Sequence, residues 1–222
     1  MDKGLIEYLS DFVTENRFKQ FQRVLEHRTR YITVVLEDIY QSQNASAVLR
    51  TCDCFGVQDV HIIENSNEYN INPDVALGAS KWLSLNYYNE KEQNTLDALN
   101  RLKQEGYRII ATTPHTDDID LEEFDLSKGK TALVFGTELT GVSNVVMDNA
   151  DEFMKIPMYG FTESFNISVS AAITLHHLIY KLKNSKVDWR LNEKEAGEIL
   201  LNWLRKTIKK SDDIEKRYYE DR

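Results

Sequence analysis

From Tyr31 onward the chain alternates short apolar runs with helical stretches, and no other property of the sequence narrows its fold so far. ITVVLEDI (32–39), VHIIE (60–64), WLSLNYY (82–88), YRIIATT (107–113), TALVFG (131–136) and EFMKIPM (152–158) have the length and the β-branched or aromatic content of strands. Several run apolar without alternation, as strands do when a parallel sheet is covered on both faces. Between them, ASAVLRTCDCF (45–55) and EQNTLDALNRLKQE (92–105) have helical spacing, and each is closed by a glycine, Gly56 or Gly106, where φ > 0 is needed. ISVSAAITLHHLIYKLK (167–183) is a third helix. Strands alternating with helices make an α/β fold with a mostly parallel sheet. A helical stretch ending near His27 precedes it. After it comes EKEAGEILLNWLRKTIKK (193–210), with Ile199, Leu200, Trp203, Leu204 and Ile208 along one side. The expected division is an N-terminal helical extension (1–28), a central α/β domain (29–184) and a C-terminal helical extension (185–222).

A chain of 222 residues can bury roughly 70% of its unfolded surface, enough for a substantial core. Its apolar fraction of 41% and its few glycines (9) and prolines (3) set it apart from disordered and fibrous chains. No run approaches the roughly 20 apolar residues of a membrane span, and MDKGLIEYLSDF lacks the apolar centre of a signal peptide, so the expected location is cytoplasmic. Cys52 and Cys54, two apart on one helix, are expected to be reduced, partly buried thiols rather than a disulfide or a metal pair. No metal site is expected. The net charge of -9 hides an uneven distribution. Residues 1–30 carry 6 Lys/Arg against 5 Asp/Glu, residues 181–222 carry 12 against 9, and residues 31–180 carry 9 against 22. A polyanionic partner would therefore be met at the ends of the chain.

Three segments carry chemistry. In FGTELTGVS, Gly136 and Gly141 have phosphate-loop spacing, but Val142 and Ser143 stand where a Walker A motif needs Lys and Ser/Thr. G-x-G-x-x-G is absent throughout, which disfavours a nucleotide-binding regulator of Rossmann type. A glycine at a strand's carboxyl end lets backbone approach a ligand, in the crevice where open α/β sheets bind small molecules. Glu138 reads equally as a site carboxylate or as an acid favoured by a helix N-terminus. In QNASAVLRTCDCFG, Asn44 is the expected N-cap, and Ala45, Val48, Leu49, Cys52 and Phe55 form the inward face. Arg50 falls on a polar stripe with Ser46 and Asp53, either opening onto a cleft or pairing with Asp53 along the helix. In IPMYGFTESFNISVSAA, Ser164, Asn166 and Ser168 crowd a helix start, more polar groups than capping requires.

Taken in order, N-x-S-A-V-L-R-T-C-D-C-F-G, L-V-F-G-T-E-L-T-G-V-S and I-P-M-x-G-x-x-E-S-F-N-I-S-V-S-A-A resemble the three signature motifs of the SpoU-type RNA 2′-O-methyltransferases of the SPOUT superfamily. With its helical leader and tail, the chain is most similar to the TrmH-like enzymes that methylate a guanosine ribose in the D-loop of transfer RNA. The resemblance implies a SPOUT-type sheet with a deep C-terminal trefoil knot, which periodicity does not reveal. It implies S-adenosyl-L-methionine as cofactor, held at Thr113, Gly136, Ile156 and Phe165. It matches Arg50 to the catalytic arginine, with Asn44, Glu138, Ser164 and Asn166 shaping the site. It also implies a homodimer with the site near its interface, helices 45–55 and 167–183 being the candidate surfaces.

The family proposal of Arg50 as general base meets a physical difficulty, because a guanidinium stays protonated in proteins. A cation stabilising the developing alkoxide is the alternative role. Transfer RNA is expected to be gripped by Arg17, Lys19, Arg23, Arg28 and Arg30 in front and by Lys206, Lys209 and Lys210 behind. The alternatives are a ribosomal RNA guanosine-2′-O-methyltransferase, which shares the motifs, and a non-catalytic RNA-binding factor on the same fold.

Overall fold

The strand-forming runs assemble into a seven-stranded sheet in which every pairing is parallel. In the computed structural model, which describes residues 2–114, 118–137 and 140–220, the chain begins with α1 (Lys3–Ser10), α2 (Glu15–Leu25), β1 (Ile32–Glu37), α3 (Ser42–Phe55) and β2 (Asp59–Ile63). It continues through α4 (Pro73–Ala76), β3 (Ser84–Tyr88), α5 (Thr95–Gln104), β4 (Arg108–Thr112) and β5 (Ile119–Asp120). It ends with β6 (Thr131–Phe135), α6 (Asn144–Asn149), β7 (Glu152–Lys155), α7 (Ile167–Lys183), α8 (Glu193–Thr207) and α9 (Ser211–Glu220).

Arg30–Trp189 form one unit around the sheet, whose order is β3-β2-β1-β6-β4-β7-β5. Every residue of β1 and of β6, side by side in the middle, is buried. Alternation along a strand sends Val34 and Leu36 to one face, with α3 and α7, while Val35 goes to the other with Ala98, Leu99 and Leu102 of α5. Each such side chain contributes about 1.5–3 kcal/mol through burial. The chain runs outward from β1 to β3 and then crosses to the other half of the sheet. Open sheets bind ligands beyond the strand ends at such a reversal.

Several boundaries differ from the sequence pattern. The run at 82–88 begins its strand at Ser84 because Ala79–Lys81 close a 3₁₀ turn ahead of it. The run at 152–158 leaves the sheet after Lys155, and β5 is too short to carry an apolar period. Helix α3 starts at Ser42 with Gln41 as its N-cap, so Asn44, expected there, lies in the first turn. Cys52 is buried and Cys54 exposed.

Met1–Thr29 with Arg190–Arg222 form the second unit, so the two terminal segments share one fold element. Helix α8 packs on α1 and α2. Leu5, Leu9, Phe21, Ile199, Trp203 and Leu204 are buried there, with the Phe21 and Trp203 rings 5.7 Å apart. Asn192 and Glu195 make a capping box at the start of α8. The helix read over 193–210 is interrupted at Ile208–Lys210, where Lys210 takes φ 57, and α9 follows.

One buried group in the sheet gives a pH dependence. Burial, helped by the nearby Arg101 charge, pushes His61 down to about 4. Its Nδ1 lies 3.0 Å from the Tyr88 hydroxyl. A free imidazole titrates near 6.5, so below that pH the unfolded chain takes up a proton that the folded chain refuses. The stability this neutral histidine permits is intact above pH 6.5 and is lost as pH falls toward 4. Thermal melts across that window should fall less steeply for His61→Gln, by up to about 1.4 kcal/mol per pH unit. Identical slopes would assign the acid sensitivity to other groups.

Candidate active site

A cavity of about 530 Å³ opens beyond the carboxyl ends of β4, β6 and β7. Its walls come from Thr112–Pro114, from Phe135–Thr137 with Thr140–Val142, from the loop after β7, and from the first turns of α7. Thr113, Gly136, Ile156 and Phe165, the four positions matched to cofactor contacts, all line it, and Ser164 does too. Residues the sequence did not single out, Met147 and Met154 among them, complete its apolar side. Single apolar positions in a helix and a strand carry no signal of which cavity they face.

The floor of this cavity depends on a tight turn. Thr137 and Gly141 exchange backbone hydrogen bonds of 2.9 and 3.0 Å, and the Thr137 and Thr140 hydroxyls lie 2.7 Å apart. The turn folds back so closely that a methyl group added to Gly136 would overlap the Gly141 carbonyl and the Val142 nitrogen. Gly136 is therefore required by the chain's own backbone. Thr113 donates its N–H to the Met154 carbonyl at 3.0 Å and its hydroxyl to Asp118. Glu138 lies outside the described residues.

The first and third motifs meet at their asparagines. The Asn166 side-chain amide donates to Asn44 Oδ1 at 3.2 Å, joining the start of α7 to the first turn of α3. Asn166 also caps α7, accepting from the Ser168 N–H at 2.9 Å and the Ser168 hydroxyl at 2.6 Å. Ser46 leaves the polar stripe expected for it: it is buried, 3.0 Å from the Tyr69 hydroxyl, and accepts from the Asn72 N–H. Burial holds that tyrosine up at about 12. Arg50 is exposed and makes no hydrogen bond or ion pair with another described residue, so the pair with Asp53 is not formed. It does not line its own chain's cavity.

Sequence reasoning missed Glu37, a buried carboxylate at the end of β1 that accepts from Ser143, next to the cavity wall. The signal was there, since an acid closing a largely apolar strand run must find donors. A second cavity, about 790 Å³, lies over residues 64–71 with Tyr87, Asn89 and Lys91. Three of its amides are committed to bracing: Asn65 donates to Thr95, Asn67 to the Asp38 carbonyl and Asn89 to Glu64.

The basic positions divide into two groups. Arg17, Lys19 and Arg23 on α2 are exposed, as are Lys206, Lys209 and Lys210. Lys19 pairs with Glu15 at 2.5 Å, and Arg17 donates to Gln20. Arg28, expected to hold RNA, is instead buried at 2% exposure, with its guanidinium 5.4 Å from the Trp203 ring centroid. Its alkyl stem and flat cation suit an aromatic partner better than open solvent. Arg30, also expected there, forms an ion pair with Asp59 at 2.9 Å, its side chain 24% exposed. Among the described residues no helix is long and apolar enough to cross a membrane, and no cluster of His, Cys, Asp and Glu is arranged for a metal ion.

A family model described as the SpoU rRNA Methylase family matches residues 31–176. The chain is 46% identical over 210 residues to a tRNA (guanosine(18)-2'-O)-methyltransferase of Borreliella burgdorferi, spanning 95% of this chain and 94% of that protein. Among solved structures, the A. aeolicus TrmH/SpoU tRNA modifying enzyme superposes with a TM-score of 0.77 at 31% identity, over 88% of this chain and 98% of that one. The SpoU methyltransferase AviRb from Streptomyces viridochromogenes, solved in complex with the cofactor AdoMet, shares the fold alone. Its TM-score is 0.60 at 20% identity, over 72% of this chain and 64% of that chain.

Proposed function

This chain belongs to the SpoU rRNA methylase family, and on that premise we propose that it methylates the ribose 2′-hydroxyl of a D-loop guanosine in transfer RNA, at position 18, using S-adenosyl-L-methionine. The observation that carries the reading is convergence: the four positions matched to cofactor contacts, Thr113, Gly136, Ile156 and Phe165, come from three separate segments and line one cavity at the sheet's carboxyl edge. The cavity suits the cofactor. Its volume lies within the 300–1,000 Å³ common for small-molecule sites, and its walls pair apolar side chains with backbone at a glycine turn.

When bound, S-adenosyl-L-methionine supplies a methyl group on a positively charged sulfur, open to in-line attack by oxygen. Gly136 and the Thr137–Gly141 turn offer it backbone groups, Thr113 a polar wall, and Ile156 and Phe165 an apolar one. As the acceptor oxygen takes the methyl group, the carbon–sulfur bond would break and the hydroxyl proton pass to solvent water, so negative charge grows on that oxygen in between. Arg50 meets that charge as a fixed cation and lowers the barrier electrostatically. Asn44 and Asn166 hold the starts of α3 and α7 in register around it. Because Arg50 stands outside its own chain's cavity, a homodimer apposed through the α3 and α7 layer completes the site. Val169 and Tyr180, exposed on α7, give that layer apolar contact surface. The segment from β6 through α7 forms the trefoil knot, and the enzyme works in the cytoplasm, where its substrate is.

Transfer RNA is held by Arg17, Lys19, Arg23, Lys206, Lys209 and Lys210. Removing residues 1–25 would not test this cleanly, because Leu5, Leu9 and Phe21 leave with them and uncover Trp203. Point substitutions do. For Arg17→Ala with Arg23→Ala, transfer RNA affinity should weaken and the slope of log K against log salt should become shallower by about 1.4 to 1.8, cofactor affinity being unchanged. An unchanged salt slope would remove α2 from the RNA surface.

The reading is tested by incubating the protein with labelled S-adenosyl-L-methionine and unmodified transfer RNA, then mapping alkali-resistant linkages. Resistance after the D-loop guanosine supports it. Methylation confined to ribosomal RNA would keep the chemistry and change the substrate, and bound cofactor without transfer to either RNA would overturn the enzymatic role.

A further inference from the structure

The loop that floors the cavity is internally tight, but the Thr137–Gly141 bridge fixes it only to itself. Beyond the pairing of Leu36 with Phe135, it is the Glu37 side chain, among the described residues, that ties its far end to strand β1. Glu37 Oε2 accepts from the Ser143 N–H at 2.8 Å, and Oε1 accepts from the Ser143 hydroxyl at 2.6 Å. From the other side Oε1 accepts from the Thr95 hydroxyl at 2.8 Å. Both hydroxyls are already oriented, since Ser143 Oγ accepts from the Val146 N–H at 3.3 Å and Thr95 Oγ1 from the Asn65 amide at 3.0 Å. Three donors thus converge on a group that is 2% exposed. All three bonds run to the carboxylate oxygens, and hydrogen bonds to a carboxylate are the strong ones. Ser143 lies between Val142 and Asn144, two lining residues of the cavity.

We propose that Glu37 is a positioning residue for the methyl-donor site: its carboxylate, reaching across 106 residues of sequence to Ser143, sets where the Gly136–Val142 turn stands and therefore how well the cavity holds S-adenosyl-L-methionine. This rests on the cofactor reading above. Glutamine at this position has the same shape but presents an amide N–H₂ where donors already point. With that group toward Ser143 N–H, two donors face each other. With it toward the hydroxyls, the hydrogens of Ser143 Oγ and Thr95 Oγ1 lose the acceptor that Glu37 Oε1 gives them.

The experiment measures S-adenosyl-L-methionine dissociation constants and the separate KM and kcat values for Glu37→Gln, alongside melting temperatures. Expected is at least a tenfold rise in both the dissociation constant and KM for the cofactor, with kcat at saturating cofactor and KM for transfer RNA within threefold of the parent. Glu37→Gln combined with Ser143→Ala should bind no more weakly than Glu37→Gln alone, because both substitutions act on the contact between Glu37 and the Ser143 hydroxyl. A lower melting temperature with unchanged cofactor affinity would overturn the proposal and leave Glu37 a brace of the fold. Should Glu37→Gln not fold, Ser143→Ala alone decides: it keeps the N–H bond, so a several-fold weakening supports the proposal and no change overturns it. A parent protein that binds no S-adenosyl-L-methionine would instead refute the cofactor reading itself.

Discussion

Replacing Arg50 by alanine should lower the methyl-transfer rate at saturating substrates by about 10²–10³-fold, the range seen when one donor is removed from a site of developing negative charge. The same substitution should leave cofactor affinity within about twofold, and stability within the ±0.5 kcal/mol usual for surface positions. These expectations follow from where the side chain is. Arg50 is exposed, bonded to no other described residue and absent from the cavity wall, so neither the fold nor the cofactor depends on it. Arg50→Lys separates a requirement for charge from one for geometry. A lysine keeps the positive charge but loses the planar fork, and a partial recovery of rate would identify electrostatic stabilisation as the main role. Loss of cofactor binding in Arg50→Ala, with transfer merely following it down, would refute the placement. The measurement is single-turnover transfer beside equilibrium cofactor binding.

Gly136→Ala has the second large effect, on the other half of the site. Its added carbon would meet the Gly141 carbonyl and the Val142 nitrogen, and both are backbone atoms that no rotamer change can move aside. The turn must open, at the 1–3 kcal/mol typical of overpacking, which for a chain of this size is a fall in melting temperature of about 2 to 12 °C. Opening the turn also displaces the floor of the cavity, so cofactor affinity should fall by about 100-fold or more, equivalent to roughly 2.7 kcal/mol. Gly141→Ala is the control within the same loop. Gly141 has φ 67 but open space where a methyl would go, so it carries the left-handed backbone cost of about 1–2 kcal/mol without the collision. Calorimetric titration of both variants with S-adenosyl-L-methionine distinguishes them. Equal losses would mean that backbone conformation, rather than close approach, makes the glycines necessary.

The sequence by itself determined every element with a strong period: the six main strands, the helices at 45–55, 92–105 and 167–183, and the parallel α/β arrangement their alternation implies. Its second and third motifs contribute residues that line the cavity, and the first is tied to the third through Asn44 and Asn166. These signals are local, set by side-chain spacing along one strand or one helix. What only the tertiary structure decided are contacts between segments far apart in the chain. Nothing in a basic N-terminal stretch says that Arg28 will lie under Trp203 while Arg17 faces solvent. Gly136 reads as room for a ligand until the chain is seen returning across it at Gly141. Asn44 reads as a cap until α3 is found to begin three residues earlier, with Gln41 as its cap and Asn44 Oδ1 accepting from Asn166. The two termini read as separate extensions until α8 is seen packed on α1 and α2. Glu37 and Ser143 have no local relation at all, and they meet because parallel pairing of β1 with β6 brings the ends of both strands to one edge of the sheet. Periodicity is a property of neighbours in sequence. Burial, close approach and the pairing of a buried charge are properties of neighbours in space, and closing the chain's long loops is what creates them.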